Sequence, residues 1–233
     1  MTHQPVGPRD RVGDDDHRTR DAVVASRYLD DLAHAAHRID RQQLGAAVSM
    51  VHAALAGGRR VYVAGNGGSA SASVHIASDW SEVAYRIHAG QPVVSLAENV
   101  ARLTAIANDR SYDDVFAEQI RSVARPGDLL VVLSVSGDSA NLRRAVEAAR
   151  GAAVDTVGVL GHRGEVAPLL DHVVVMGDQD YGITEDLHIA FGHMVVRALD
   201  GGRARVVAPC TGPSRRAVDQ PGRQSSSERL ALR

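Results

Sequence analysis

One stretch of the sequence limits the possible folds more than any other, the run VYVAGNGGSASASVHIASD from Val61 to Asp79. Its first four residues are apolar and typical of a buried strand, and Gly65 to Ser69 form a glycine-rich turn. A pattern of small residues typical of a helix follows. A strand, a tight turn and a helix N-terminus in succession bring free backbone N–H groups and the positive end of a helix dipole together, which favours an anionic ligand.

A second turn of the same kind lies in the run LSVSGDSANL from Leu133 to Leu142. It also follows an apolar run and precedes a helical pattern. Ser134, Ser136 and Ser139 bring hydroxyl groups to that turn beside a helix N-terminus, where they suit a phosphate. Each of these residues taken alone could equally be a turn or cap residue, but the two turns together predict a sugar-phosphate site.

Composition excludes several classes of protein. At 233 residues the chain fits one domain, and its aromatic content of 3% argues against a nucleic-acid binder that stacks bases on rings. All 26 basic residues are arginine, so mechanisms that need a lysine are excluded, among them Schiff-base aldolases and P-loop NTPases. The single cysteine allows no intramolecular disulfide, and no apolar run resembles a membrane span or a signal sequence. We therefore expect a cytoplasmic protein without a nucleic-acid or membrane partner.

Apolar runs of strand length alternate with helical patterns along the middle of the chain. We expect disordered segments at 1–20 and, with a basic composition, at 203–233, and a single domain over 21–202. Two helices, about 21–38 and 41–56, come before the first strand. The predicted strands are Arg60–Ala64, Pro92–Leu96, Asp128–Ser134, Asp155–Leu160 and His172–Met176. The predicted helices between and after them are Ser69–Ile87, Val100–Ile106, Asp113–Val123, Asn141–Arg150, Val166–Leu170 and Thr184–Leu199. The alternation predicts an α/β fold with a parallel sheet covered on both faces.

Three motifs in this order, GNGGSASASVHIASD, SVSGDSANL and EDLHIAFGH, resemble the sugar isomerase (SIS) family, and within it the phosphoheptose isomerase branch. The resemblance extends over about residues 21–200. It implies a flavodoxin-like, three-layer α/β/α sandwich with about five parallel strands. It also implies a homotetramer whose sites lie at subunit interfaces.

The resemblance further implies an aldose–ketose isomerase. It would convert sedoheptulose 7-phosphate to D-glycero-D-manno-heptose 7-phosphate through an enediol, in nucleotide-heptose or antibiotic-sugar biosynthesis. Asp79 and His193 match the catalytic carboxylate and histidine of the branch, and zinc ligands of some members match His75, Asp79, Glu185 and His193. Substrate-binding positions match Asn66, Gly67, Ser69, Asn108, Asp109, Ser134, Ser136, Ser139 and Glu185.

Other interpretations remain open at several of these positions. His75 could merely cap or pack, Glu185 could be an exposed acid in the first turn of a helix, and Asn108 with Asp109 could simply form a turn. The branch usually has Glu where this chain has Asp79, and Gln where it has Glu185. The alternative function is a non-catalytic SIS module that binds a sugar phosphate or a partner protein.

We expect no nucleotide cofactor, because the first turn is GNGGSA rather than GxGxxG and no acid follows the second strand convincingly. His188 shares a helix with His193 but faces elsewhere, so its expected role is structural or at a subunit contact. Asp138 would repel a phosphate, and we expect its carboxylate to point away from the site or to cap the following helix.

Overall fold

The computed structural model describes residues 12–88 and 93–202. Helix α1 spans Val12–Arg38, so it begins well before the predicted start near residue 21. No proline occurs between Val12 and Arg38, so nothing in the backbone prevents this early start. The rest of the segment predicted to be disordered at the N-terminus, and the whole of 203–233, lie outside the described residues.

Within the described residues, five strands and seven helices follow one another in the order that the sequence predicts. The strands are β1 (Val61–Ala64), β2 (Val93–Ser95), β3 (Leu129–Ser134), β4 (Asp155–Leu160) and β5 (His172–Val175). After α1 the helices are α2 (Arg41–Ala56), α3 (Gly67–His88), α4 (Val100–Asp109), α5 (Ala117–Val123), α6 (Ala140–Gly151) and α7 (Tyr181–Leu199). Two predicted helical segments are wholly or partly short 3₁₀ turns instead, Tyr112–Asp114 before α5 and Ala167–Leu169 before β5.

All five strands are parallel and lie in the order β2-β1-β3-β4-β5. Alternate residues of each strand face opposite sides of the sheet. Val61 and Val63 of β1 pack with α2, α3 and α7, whereas Tyr62 and Ala64 pack with α5 and α6. The predicted three-layer α/β/α sandwich with two N-terminal helices is therefore confirmed.

Helix α1 is fastened to α7 by a polar contact. The Tyr28 hydroxyl donates a hydrogen bond to Asp186 Oδ2 over 2.7 Å. This bond to a carboxylate, aided by burial, raises the pKa of Tyr28 to about 12.

Among residues 12–88 and 93–202, no helix combines the length and the apolar character that a membrane crossing requires.

Candidate active site

The first glycine turn joins β1 to α3 at the carboxyl edge of the sheet. A Cβ atom at Gly65 would lie 2.7 Å from the carbonyl oxygen of Ser69, so the chain can curl this tightly only with glycine. Gly67 has a φ of +56°, in the left-handed region that glycine tolerates. Ser69, in the first turn of α3, is buried.

The second turn joins β3 to α6 at the same edge. The Ser134 hydroxyl oxygen accepts a hydrogen bond from the Gly137 N–H over 3.0 Å, and the Ser136 oxygen accepts one from the Asp138 N–H over 3.2 Å. Ser139 is the N-cap residue of α6, but its side chain makes no capping hydrogen bond. The hydroxyl hydrogens of this turn therefore remain free to point toward a ligand.

The Asp138 carboxylate is turned toward a neighbouring loop. Its Oδ1 accepts a hydrogen bond from the Glu165 N–H over 2.9 Å and lies so close to Gly164 that a Cβ there would be 2.0 Å away. The carboxylate therefore points toward the loop of Gly164 and Glu165, as expected for an acid beside an anion site.

A cavity of about 290 Å³ lies between the two turns, which we call the serine cavity. Among the described residues, its lining is Asn66, Gly67, Gly68, Ser69, Leu133, Ser134, Val135, Ser136, Ser139, Tyr181 and Glu185. No arginine is among them. A ligand anion here would be held by hydroxyls, backbone N–H groups and the N-termini of α3 and α6.

Glu185 reaches the serine cavity from α7. A Cβ at Gly68 would lie 2.0 Å from Glu185 Oε2, so the carboxylate rests directly against the first turn of α3. A negative charge at a helix N-terminus is stabilised by the helix dipole. The structure therefore places Glu185 with the predicted substrate ligands.

Three of the four predicted metal ligands come together on α3 and α7. His75 Nε2 lies 3.4 Å and His193 Nε2 lies 3.5 Å from Asp79 Oδ2. The ligand atoms of this group, which we call the His–Asp–His cluster, all lie within 4.8 Å of one another. Glu185 is not part of the group. The side chains are 50%, 39% and 53% exposed for His75, Asp79 and His193 respectively, so the cluster is open to solvent on the single chain.

The close packing of α3 against α7 positions this cluster. A Cβ at Gly192 would lie 2.6 Å from Ile76 Cγ1, so the two helices approach at a glycine. The Trp80 indole N–H donates to the Gly192 carbonyl over 3.0 Å, and its ring packs edge-on against Phe191. Because Ile76 and Trp80 lie beside Asp79 while Gly192 precedes His193, these contacts fix the distance between the carboxylate and the imidazole.

His188 is buried and connects α7 to both β4 and the first turn. Its Nε2 lies 3.0 Å from the Val159 carbonyl oxygen, and its Nδ1 lies 3.4 Å from Ser69 Oγ. Burial lowers the pKa of His188 to about 4, against the smaller opposing effect of the Val159 hydrogen bond. His188 therefore has the expected structural role, and it also contacts Ser69, which lines the serine cavity.

Three residues in or beside the serine cavity were not predicted from the sequence. Asn141 exchanges two amide hydrogen bonds of 2.9 Å with Asn66, and the Tyr112 hydroxyl donates to the same Asn66 oxygen over 3.0 Å. Most of the Asn66 side chain is thus used to join the two turns, leaving little for a substrate hydroxyl. Tyr181 also lines the cavity and is 68% exposed. Its position four residues before Glu185 on the same helix is the one sequence signal that could have indicated it.

The structure does not bring Asn108 and Asp109 into the serine cavity. The sequence predicted that α4 ends at Ile106, but the helix continues to Asp109 and Arg110 is its C-cap residue. Asn108 donates to Asp109 Oδ1 over 2.8 Å, and Asp109 lines a separate cavity beside Arg102. Amide hydrogen bonds within the helix outweighed the local tendency of Asn-Asp to turn.

Comparisons with known proteins identify the family of the chain. The SIS domain model matches residues 27–161, more than half of the chain. A phosphoheptose isomerase of Nitratidesulfovibrio vulgaris is 33% identical over 186 residues, which cover 79% of this chain and 86% of that protein. A phosphoheptose isomerase of Rhodospirillum rubrum is 37% identical over 150 residues, covering 64% and 80%.

Solved structures are similar in fold. The phosphoheptose isomerase GmhA of Neisseria gonorrhoeae superposes with a TM-score of 0.67 at 25% identity, covering 79% of this chain and 98% of that one. A phosphoheptose isomerase of Francisella tularensis gives a TM-score of 0.70 at 22% identity, covering 78% and 98%. Sequence motifs, sheet order and relatives agree, and the chain belongs to the SIS domain family, among the phosphoheptose isomerases.

Proposed function

We propose that this protein is a sugar-phosphate isomerase that converts sedoheptulose 7-phosphate to D-glycero-D-manno-heptose 7-phosphate. The observation that carries the proposal is the contact of Asp79 with His193, on two helices whose N-terminal turns meet at the serine cavity. Two relatives with substantial coverage are named phosphoheptose isomerases. Nucleotide-heptose or antibiotic-sugar biosynthesis and a cytoplasmic location stay predictions.

The reaction moves one proton between adjacent carbons. Asp79 removes a proton from C1 of the ketose, and the electron pair of the broken C–H bond forms the C1–C2 double bond of an enediol as the C2 carbonyl oxygen takes up a proton. The same carboxylic acid then returns a proton to C2 while the O1 hydroxyl loses its proton and becomes the aldehyde. His193, 3.5 Å from the carboxylate, carries the proton between O1 and O2. The reaction therefore breaks one C–H bond at C1 and forms one C–H bond at C2.

The phosphate is held at the other end of the substrate by the second turn. Ser134, Ser136 and Ser139 present hydroxyl groups beside the N-terminus of α6, where neutral donors and the helix dipole suit a doubly charged anion.

The His–Asp–His cluster also fits a zinc ion. Two imidazoles and a carboxylate are a common catalytic zinc set, and the proposed ligands are His75, Asp79 and His193. Glu185, the fourth ligand that the resemblance implies, lies in the serine cavity and not with these three on the single chain. A bound zinc would polarise the sugar oxygens and stabilise negative charge on them. An Asp79 that coordinates metal would be a poorer base, and so would a coordinated His193, so the zinc role and the proton-transfer role of these two residues compete.

A homotetramer with shared sites is part of the same proposal. The cluster is about half exposed on the single chain, whereas proton transfer from carbon benefits from exclusion of water. Val23, Val24 and Leu29 of α1 are each more than 60% exposed and offer an apolar face for a second copy. Burying that face would support assembly by the hydrophobic effect.

The test is an isomerase assay on purified protein with sedoheptulose 7-phosphate, before and after chelation and with zinc restored. We expect turnover, and we expect Asp79→Asn to abolish it. Glu82→Gln removes an exposed carboxylate from the same helix and is the matched control, expected to keep turnover. Turnover that survives in Asp79→Asn would exclude its role as the base. Binding of the sugar phosphate without any turnover in the wild type would favour the non-catalytic module.

A further inference from the structure

The side chain of Tyr181 lies at the edge of the serine cavity. It is the one aromatic residue among the described residues that line the cavity. Its side chain is 68% exposed, and its hydroxyl group makes no hydrogen bond within residues 12–88 and 93–202. A single exposed tyrosine is ordinary on a protein surface, so its position relative to the cavity decides what it can do.

The loop between β5 and α7 determines where Tyr181 lies. Gly177, Asp178 and Gln179 have φ angles of +102°, +50° and +66°, so three successive residues are left-handed and two of them are not glycine. Such a backbone is unfavourable for Asp and Gln and persists only where neighbouring contacts hold it. Asp178 forms an ion pair of 2.7 Å with Arg38, and Gln179 Nε2 lies 3.0 Å from His162 Nδ1. These contacts fix the point at which α7 begins.

Helix α7 aligns Tyr181 with Glu185. The two residues are i and i+4 on one helix face, and both line the serine cavity. Asp180 caps the helix by accepting a hydrogen bond of 3.0 Å from the Ile183 N–H, so Tyr181 is the first residue of the helix. Side chains of a helix tilt toward its N-terminus, and α7 begins at the carboxyl edge of the sheet. Tyr181 therefore lies at the mouth of the cavity, one turn outward from the Glu185 carboxylate that rests against Gly68.

The rest of the lining is suited to the polar groups of a ligand. It consists mainly of serine hydroxyls, glycine backbone, an amide and the Glu185 carboxylate. The two apolar residues of the lining, Leu133 and Val135, are 0% and 6% exposed and offer little surface. A sugar phosphate also carries C–H groups along its carbon chain. Among the described lining residues, the Tyr181 ring is the one broad apolar surface on which these groups can pack, and an aromatic ring loses few rotamers when it does so.

We propose that Tyr181 is a specificity residue whose ring covers the C–H groups in the middle of the carbon chain of a bound sugar phosphate. This rests on the proposed function for the identity of the sugar phosphate. A longer carbon chain presents more C–H groups to the ring than a shorter one. Tyr181 therefore favours a seven-carbon ketose phosphate over a five-carbon one, and contributes nothing to the binding of phosphate itself.

The first experiment measures binding by calorimetry with inorganic phosphate, ribulose 5-phosphate and sedoheptulose 7-phosphate as probes. Tyr85→Ala is the matched control, because Tyr85 is 67% exposed and lies outside the cavity lining. We expect Tyr181→Ala to raise the Kd of the seven-carbon probe about fivefold to tenfold and that of inorganic phosphate less than twofold, because only apolar contact with the carbon chain is lost. The five-carbon probe should be weakened less than the seven-carbon one. Tyr181→Phe, which keeps the ring, and Tyr85→Ala should both stay within about twofold of the wild type for all three probes.

Equal weakening of all three probes in Tyr181→Ala would overturn the proposal, and so would an unchanged Kd for sedoheptulose 7-phosphate. Isomerase kinetics give a second criterion. Because the ring contacts the chain and not the reacting carbons, Tyr181→Ala should raise KM and leave kcat nearly unchanged. A fall in kcat without a change in KM would refute the covering role.

The second experiment uses the wild-type protein and nitration of tyrosine by tetranitromethane, with each modified peptide identified by mass spectrometry. Tyr181 and Tyr85 are almost equally exposed, so both should react without ligand. Saturating sedoheptulose 7-phosphate should protect Tyr181 and leave Tyr85 reactive, and inorganic phosphate should protect neither. A Tyr181 that reacts equally with and without the sugar phosphate would overturn the proposal. A Tyr181 that is unreactive without ligand would also overturn it, because the ring would then be covered by a second copy of the chain.

The two proposals fail in different ways. A wild type that binds the sugar phosphate and protects Tyr181, but does not isomerise the sugar, refutes the proposed function and leaves the role of Tyr181 intact. A wild type that isomerises the sugar, while Tyr181 stays reactive and Tyr181→Ala keeps the wild-type KM, refutes only the role of Tyr181.

Discussion

The replacement Gly192→Ala tests how α3 and α7 hold the His–Asp–His cluster. A methyl group at this position would lie 2.6 Å from Ile76 Cγ1 and 3.2 Å from Cδ1. Ordinary carbon contacts lie at about 3.5–4.0 Å, so the helices must separate by about 1 Å or Ile76 must leave its rotamer. Overpacking of this kind costs about 1–3 kcal/mol, offset by about 1 kcal/mol because alanine favours a helix interior over glycine.

The matched control is Gly45→Ala, in the interior of α2. Apart from the neighbouring backbone of α2 itself, no heavy atom would lie within 4 Å of a Cβ at Gly45, so only the gain in helix propensity remains. Gly45→Ala should therefore stabilise the protein by up to about 1 kcal/mol. The free energies of unfolding of the two variants, measured in urea at one protein concentration, should differ by about 1–3 kcal/mol. Isomerase turnover should fall in Gly192→Ala only, because His193 is the next residue.

A double-mutant cycle tests whether the contact with Ile76 causes the loss of stability in Gly192→Ala. Ile76→Ala alone should cost about 2–5 kcal/mol, since Ile76 is buried. In the Gly192→Ala background it should cost at least about 1 kcal/mol less, because the new methyl group occupies part of the space that Ile76 leaves. If Gly192→Ala is as stabilising as Gly45→Ala, and the cycle shows no coupling, the close approach of the helices is refuted.

Further changes test other parts of the molecule. Because the pKa of His188 falls from 6.5 to about 4 on folding, its contribution to stability is complete above pH 6.5 and is lost as the pH falls toward 4. The loss is about 2 kcal/mol at pH 5, and urea titrations at pH 8 and pH 5 should show it in the wild type but not in His188→Gln. Asn141→Ala should cost about 1–3 kcal/mol in the same titration, because the Asn66 N–H₂ group loses its acceptor and the Asn66 oxygen keeps only the Tyr112 hydroxyl as a donor. Gly68→Ala should displace the Glu185 carboxylate and raise KM in the isomerase assay with little change in the unfolding midpoint; an unchanged KM would contradict the contact.

The sheet and its two turns were predictable because their signals are local. Strands covered on both faces are apolar at nearly every position, and glycine-rich turns mark their carboxyl ends. The i, i+4 spacing of His75 and Asp79 likewise placed them on one helix face. For His193, the sequence indicated only the role that the family resemblance implies. Its distance from Asp79 depends on how α3 and α7 pack, which no local pattern shows.

The contacts that sequence analysis missed are long-range. Asn66 and Asn141 lie 75 positions apart, and Ser69 and His188 lie 119 apart, so no local pattern links either pair. From the family resemblance Glu185 was expected both as a substrate ligand and as a metal ligand, and the sequence could not separate the two roles. Only the packing of α7 against Gly68 shows that its carboxylate lies at the N-terminus of α3.

This position of Glu185 bears on how a substrate would lie. The N-termini of α3 and α6 both open on the serine cavity, and either could hold an anion. The Glu185 carboxylate already satisfies the positive end of α3, and a second negative charge there would be repelled. We therefore expect the phosphate at α6, beside the hydroxyl donors Ser134 and Ser136. The hydroxylated part of the sugar then faces the Glu185 carboxylate, which can accept hydrogen bonds from its hydroxyl groups.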